Sequence, residues 1–217
     1  VVIGGGAGGV ELAMAVRHRL GGAARIHLVS GGPALLAAQS AALRRRALRA
    51  LRLREIGVIE DSVVEIRADH VVLGSGARLA CDTPVVAIGV SAPRWLRGSG
   101  LALDGAGFVA TGATLQSLSH PHVFAAGDVA ARADAPRPRS GVYAVRAGPP
   151  LADNLRRALA GGAMAAYSPQ RRSLNLLSCG DRHAIAAWGE RALEGRLVWR
   201  WKDFIDRRFV AAGRPGP

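Results

Sequence analysis

The sequence predicts an α/β fold. Three observations predict it. The chain opens on an apolar run, a glycine turn and an amphipathic stretch. A series of short apolar segments separated by turn residues follows. A further helical pattern then leads into an end rich in tryptophan. Strands that alternate with helices in this way argue for an open sheet with helical crossovers.

The elements follow in order. Residues 1–3 read as a short buried strand and 7–20 as a helix with Val10, Met14 and Leu20 on one side. "RIHLV", 25–29, alternates as a second strand. "AALRRRALRALRLREIG" spaces Leu43, Ala47, Leu48 and Leu51 as a helix does and stops at Gly57. "VIE", "SVVEI", "HVVLG", "ARLAC" and "PVVAIG" are short strands parted by turns such as "GSG" at 74–76, an antiparallel meander that leads into a further strand. Residues 91–118 carry more Gly, Pro and Ser and read as irregular. "HVFAAG", 122–127, reads as a buried strand. "ADAPRPRSG", 133–141, is a loop, because its prolines cannot continue a helix or a central strand. A helix is expected over about 142–160, ending at Gly161-Gly162. The last fifty residues hold Trp188, Trp199 and Trp201 and read as a β-hairpin, a short aromatic helix and a disordered tail, "AAGRPGP". The sequence shows no internal repeat.

Composition bounds the function. The chain has 217 residues, of which 49% are hydrophobic, enough for a real core. No apolar run reaches the ~18 residues of a membrane span. The first residues lack a basic region and a cleavage site, so nothing argues for export and a cytoplasmic location is expected. Cys81 and Cys179 stand far apart, with no C-x-x-C pair, and read as reduced, small apolar residues. The net charge of +13 permits an anionic partner. It is nearly all arginine, however, with Lys202 the one lysine, and scattered arginines more often decorate solvated faces. Arg44-Arg45-Arg46 falls in a helical stretch, and no zinc finger, helix-turn-helix or RNP pattern accompanies it, so no nucleic acid is expected. His120, His122 and His183 have no ligand partners at metal spacing, and no metal is expected.

Two motifs carry chemistry. Gly4-Gly5-Gly6-Ala7-Gly8-Gly9 matches G-x-G-x-x-G between a strand and a helix, with a second strand at the right distance. Gly4 would allow the tight turn, Gly6 the approach of a pyrophosphate, and Gly9 the close packing of helix on strand. The helix N-terminus would then hold the phosphates. At the end of the second strand, where such turns have an acid for the adenosine ribose, stands Ser30, which leaves NAD against NADP open. Glu11 follows in the helix, either as a dipole-favoured surface acid or as a site residue. The second motif is "HVFAAGD", which ends an apolar strand in Gly127-Asp128. An acid there lies where open sheets bind ligands, or it caps a helix.

Together, the glycine turn with Glu11, "VVAIG" at 85–89, "GFVAT", "HPHVFAAGD" and "GVYAVRAGPPLADNL" resemble the pyridine nucleotide–disulfide oxidoreductase superfamily over at least residues 1–160. The type II NADH dehydrogenases are the nearer resemblance. "RSLNLLSCGDRHAIAAWG" and "LEGRLVWRWKDFIDRRF" look like the flavoprotein module fused ahead of selenophosphate synthase in some bacteria. The resemblance implies a Rossmann-like NAD(P)H-binding domain at 1–90, the C-terminal segment of a split FAD-binding domain at 91–162, and a small α+β region at 163–217. Gly4, Gly5, Gly6 and Gly9 would hold the NAD(P)H pyrophosphate, and Glu11 would point to the nicotinamide. Gly89 would lie where the chain leaves the first domain. Gly127 and Asp128 would meet the FAD ribityl chain, and Ala144 and Val145 the pyrimidine edge of the flavin. The superfamily's other G-x-G-x-x-G, for the FAD pyrophosphate, is absent from this sequence, as is a redox dithiol, so the chain is expected to be a C-terminal portion of a flavoenzyme.

The expected function is a fragment of an FAD-dependent NAD(P)H dehydrogenase that passes hydride to flavin and on to an acceptor such as a quinone. The alternative is a non-catalytic nucleotide-binding or interaction module that serves selenophosphate synthesis, with a selenophosphate synthase domain as partner. In "VWRWKDFIDRRF", Trp201, Phe204, Ile205 and Phe209 fall at helical spacing. They either pack on the hairpin or, as the resemblance to membrane-bound dehydrogenases implies, contact the inner face of a membrane.

Overall fold

The computed structural model describes residues 1–32 and 34–213. The chain divides into two compact units, one formed by Val1–Gly89 with residues from Arg172 onward, the other by Val90–Arg171. The C-terminal segment, set apart as a third region in the sequence, therefore clusters with the N-terminal one.

In the first unit, β1 (Val2–Ile3) lies between β2 (His27–Val29) and β7 (Val85–Val86), and β3 (Gly57–Ile59) lies outside β2. All three pairings are parallel. The crossovers are α1 (Ala7–Leu20) and α2 (Ala41–Leu53). Ser40 caps α2 by accepting the Leu43 N–H at 3.4 Å. Leu43, Ala47, Ala50 and Leu51 bury the face that the spacing predicted. On α1 the buried residues are Gly9, Val10, Ala13 and Met14, whereas Leu20 is 46% exposed. The stripe ends at Met14 because the position one turn on is Arg17, whose Nε donates to the Arg54 carbonyl at 2.8 Å.

β4 (Val63–Ile66), β5 (His70–Leu73) and β6 (Arg78–Ala80) form the antiparallel meander between β3 and β7. Past Arg172 the expected hairpin is a three-stranded antiparallel sheet of β10 (Leu174–Ser178), β11 (Ala184–Trp188) and β12 (Arg191–Gly195). β11 is buried on both faces, which explains its small side chains. Ile185 and Ala187 join the core with Val10, Met14, Leu43 and Leu51. Ala184 and Ala186 face the other way, onto Val198 of α4 (Arg196–Ala212). Ala211 and Ala212 thus belong to a helix and not to a disordered tail, and residues 214–217 of that tail lie outside the described residues. No described helix is long and apolar enough to cross a membrane.

The second unit holds β8 (Val109–Thr111), β9 (Ala130–Arg132), which pair in parallel, and α3 (Gly141–Leu159). The strand expected over 122–127 is corrected. Only Phe124 makes a bridge, to Gln116, and the backbone then enters a 3-10 turn at Gly127–Val129. Gly127 takes φ +73°, which no extended strand can continue through. Asn154, fully buried on α3, ties the unit together. Its Nδ2 donates to the carbonyls of Thr114 at 2.9 Å and Ala165 at 2.8 Å, and its Oδ1 accepts the Ala165 N–H at 2.8 Å.

Substituting Asn154 by Leu removes these bonds and strands three backbone groups. It is expected to destabilise the chain by about 2–4 kcal/mol. Urea denaturation followed by circular dichroism reads this as a lowered midpoint, and an unchanged midpoint would contradict the role given to Asn154.

Candidate functional site

The glycine turn stands at the carboxyl end of β1, where β2 departs to one side and β7 lies on the other. That is the switch point at which open sheets bind ligands. Steric contact fixes its residues. A Cβ on Gly4, which takes φ +131°, would strike the Ala87 carbonyl oxygen. One on Gly5 would strike Ser30 Oγ, and one on Gly9 the Gly4 carbonyl oxygen. Gly6 differs: a Cβ there would meet nothing within 4 Å. The fold demands glycine at 4, 5 and 9 and leaves 6 as a cradle that a side chain would fill.

Gly6 is the N-cap of α1, no side chain caps it, and the first turn carries no acid. The leading N–H groups and the positive end of the helix dipole remain available to an anion. The turn therefore fits a dinucleotide pyrophosphate by its room and by its donors. Ser30 is 1% exposed and packed against Gly5, while Gly31 and Gly32 beside it are exposed.

Glu11 is neither in the first turn nor a simple surface acid. Its Oε1 accepts the Ser178 N–H at 2.7 Å and lies 3.9 Å from Lys202 Nζ. Burial pushes its pKa up, against the lowering pull of the Ser178 N–H and of Lys202. This carboxylate joins α1 to the end of β10. Gly89 is exposed, takes φ +88° and is the last residue of its segment of the first unit.

The other predicted residues lie in the second unit. Gly127, Asp128 and Ala144 line one cavity of about 380 Å³, and Val145, 48% exposed, is not part of its wall. A Cβ on Gly127 would come 3.5 Å from Ala144 Cβ, which sets the turn against the start of α3. Asp128 is exposed on the 3-10 turn and precedes β9, where the sequence had put it at a strand's carboxyl end. Ser140, the N-cap of α3, makes no capping bond and no acid follows it in the first turn, so this helix end too suits negative charge. Sequence reasoning missed Arg132, Arg137 and Tyr167, which share the cavity wall. The arginines' only signal was that the loop after Asp128 is rich in arginine, and Tyr167 had none.

Cys81 and Cys179 are free, buried, and belong to separate core clusters. Burial pushes the Cys179 thiol up to about 12. Cys179 should resist a thiol-specific reagent at pH 8 until the chain unfolds, and prompt reaction in the native state would contradict this burial. The folded-state pKa lies above the unfolded one. This contribution to stability is therefore present below about pH 9 and is lost as pH rises towards 12.

The profile of the pyridine nucleotide-disulphide oxidoreductase family matches residues 1–148. Among solved structures, the sulfide:quinone oxidoreductase of the hyperthermophilic bacterium Aquifex aeolicus superposes with a TM-score of 0.78 at 16% identity. That match covers 96% of this chain and 57% of that one. Reduced Bacillus anthracis CoADR-RHD gives a TM-score of 0.69 at 23% identity, over 93% of this chain and 35% of that one. Both likenesses concern the fold, and the chain spans less than two thirds of either relative's length. No curated protein matches. A matched profile over more than half the chain, on a glycine turn built as described, has one consequence: this chain belongs to the pyridine nucleotide-disulphide oxidoreductase family.

Proposed function

We propose that the chain is the NAD(P)H-holding part, and one side of the flavin site, of an FAD-dependent oxidoreductase. The observation that carries this reading is the N-terminus of α1, uncapped, free of acids and opened by Gly6 at the switch point of a parallel sheet. Held there, NAD(P)H would supply a hydride and FAD a two-electron carrier, with an acceptor such as a quinone to reoxidise it.

The chain's own residues bind and orient. Gly6 admits the coenzyme pyrophosphate to the backbone, and the N–H groups of the first turn of α1 donate to it. Gly4, Gly5 and Gly9 hold that turn in place by their contacts with Ala87 and Ser30 and with each other. In the second unit Asp128 would accept hydrogen bonds from the ribityl hydroxyls. The uncapped start of α3, near Ala144 and Val145, would stabilise negative charge on a flavin held beside it. Glu11 already holds Ser178, so its part is to position α1.

Two glycine variants separate fold from function. Gly6→Ala meets open space and should keep the parent's melting behaviour, while its NADH affinity falls about tenfold. Gly4→Ala strikes a carbonyl at positive φ and should cost about 2–4 kcal/mol of stability. NADH fluorescence titration and thermal denaturation measure both. The reading fails if the parent binds neither NADH nor NADPH, or if the purified protein with added FAD and NADH reduces no dye.

A second reading concerns α4. Trp201, Phe204, Phe209 and Val210 are 46–62% exposed, and arginines flank them. We take this helix to lie in an anionic lipid interface. The parent should float with phosphatidylglycerol vesicles and Trp201→Ala/Phe204→Ala should float less. A parent that stays at the bottom of the gradient would refute the contact.

A further inference from the structure

The outer face of α2 carries charge that the fold does not use. Leu43, Ala47, Ala50 and Leu51 are buried on the inner face. The opposite face is exposed and bears Arg45, Arg49 and Arg52, at i, i+4 and i+7, with Leu53, 72% exposed, beside the last of them. At this spacing neighbouring side chains stand about 5–6 Å apart at Cβ, and like charges so placed weaken the helix that carries them. The ion pairs of α2 and its C-cap are Arg46 with Glu194 at 3.1 Å and Arg54 with Asp181 at 2.7 Å. Arg45, Arg49 and Arg52 meet no carboxylate among the described residues, and residues 12–54 contain no acid. Arg17, Arg46 and Arg54, by contrast, hold carbonyls or carboxylates. A row of repelling charges with no structural return calls for a partner outside the chain.

We infer that this face of α2 docks an acidic helix of another protein, whose carboxylates meet the three arginines. The match is one of period. Carboxylates at i, i+4 and i+7 of a facing helix repeat at the interval of the arginines, and a guanidinium can take each in a forked pair. Leu53 and the partly buried Leu48 flank the row and offer the apolar contact that a helix can return and a phosphate backbone cannot. Nucleic acid is disfavoured further because α2 has no aromatic side chain on which a base could stack. A lipid surface is disfavoured by position. Ile185 and Ala187 of β11 face the core shared with α2, whereas Ala184 and Ala186 face α4, so the exposed aromatic residues of α4 lie across the sheet from this row. A second copy of the chain is disfavoured by symmetry. Its acids gather at Glu60, Asp61, Glu65 and Asp69, in and before the meander. The meander packs on Ile3 and Val29, and α2 packs on Val2 and Leu28, the other face of the parallel sheet. Contacts between opposite faces run head to tail and do not close.

The inference needs neither coenzyme nor flavin, so it and the proposed function fail separately. The full chain is titrated into a fluorescent, alanine-rich helical peptide of about 20 residues with glutamates at i, i+4 and i+7. Anisotropy is read at about 50 mM salt. Binding should saturate at a single site and vanish for the same peptide with glutamine in place of glutamate. Arg45→Glu/Arg49→Glu should weaken it about tenfold or more. Arg200→Glu/Arg208→Glu on α4 changes the net charge equally and should stay within about twofold of the parent. Should the first variant fail to fold by circular dichroism, Arg45→Gln/Arg49→Gln decides in its place, with a loss of about threefold or more expected. The inference is overturned if the glutamate peptide does not saturate, or if the α2 and α4 variants weaken it alike, which would make the attraction one of net charge alone. It is also overturned if a DNA duplex or phosphatidylglycerol vesicles bind more tightly than the peptide and lose that binding through the α2 substitutions, which would give the row to phosphate.

Discussion

The first unit depends on backbone meeting backbone along α1, with no room for a side chain between. At the helix start, Gly9 lies on the Gly4 carbonyl and Gly4 on the Ala87 carbonyl. At its middle, Gly180, at φ +86°, brings the turn between β10 and β11 against α1, where a Cβ would stand 2.6 Å from the Met14 carbonyl oxygen. A helix held at both places can neither slide along the parallel sheet nor tilt from it. The N–H groups at its start are therefore held in one place, and a site that binds a phosphate through backbone donors needs that rigidity.

Polar ties follow the same line. Glu11 reaches Ser178, and Arg54 donates to the Cys179 carbonyl at 3.1 Å, to the Ala50 carbonyl at 2.9 Å and to Asp181 at 2.7 Å. Arg46 reaches Glu194 at 3.1 Å. These bonds fasten β10–β12 onto α1 and α2 around an apolar centre that includes Leu177, Cys179 and Ile185. Glu11 has a structural partner that its position does not announce. It stands two residues after the last motif glycine, and one of its oxygens accepts a backbone N–H 167 positions away.

What could be read in advance was local. The span of α1, the buried face of α2 and the meander all follow from periodicity and turn residues, which report on burial within one element. The glycine turn was legible because its reasons lie within one strand–turn–helix unit. The rest depends on distant partners. The third strand, β12, exists because β11 needs a neighbour on each edge, and nothing in "ERALEG" announces that. Leu20 departs from its expected side because Arg17 ends the stripe. The segment 122–127 has the composition of a strand, but Gly127 breaks the extended run and one bridge at Phe124 is all it forms. Asn154 and Tyr167 carried no signal, and Arg132 only that of an arginine-rich loop, since a single polar residue on a helix or loop looks the same whether it is solvated or sealed in.

The arginine content has a structural use as well as a compositional cause. Arg17 donates to the carbonyls of Arg54 and Gly21 and to Glu55, Arg54 to three acceptors, and Arg137 to three carbonyls. A planar fork can serve several fixed oxygens at once, whereas an ammonium group would have to choose among them. Many of these charges are thus committed to holding loops and helix ends, so the net charge of +13 overstates what is free to attract a partner. Arg132 stands apart on this ground. It meets one carboxylate with two of its nitrogens and leaves the third without a partner among the described residues, where an unmet buried donor is costly to keep.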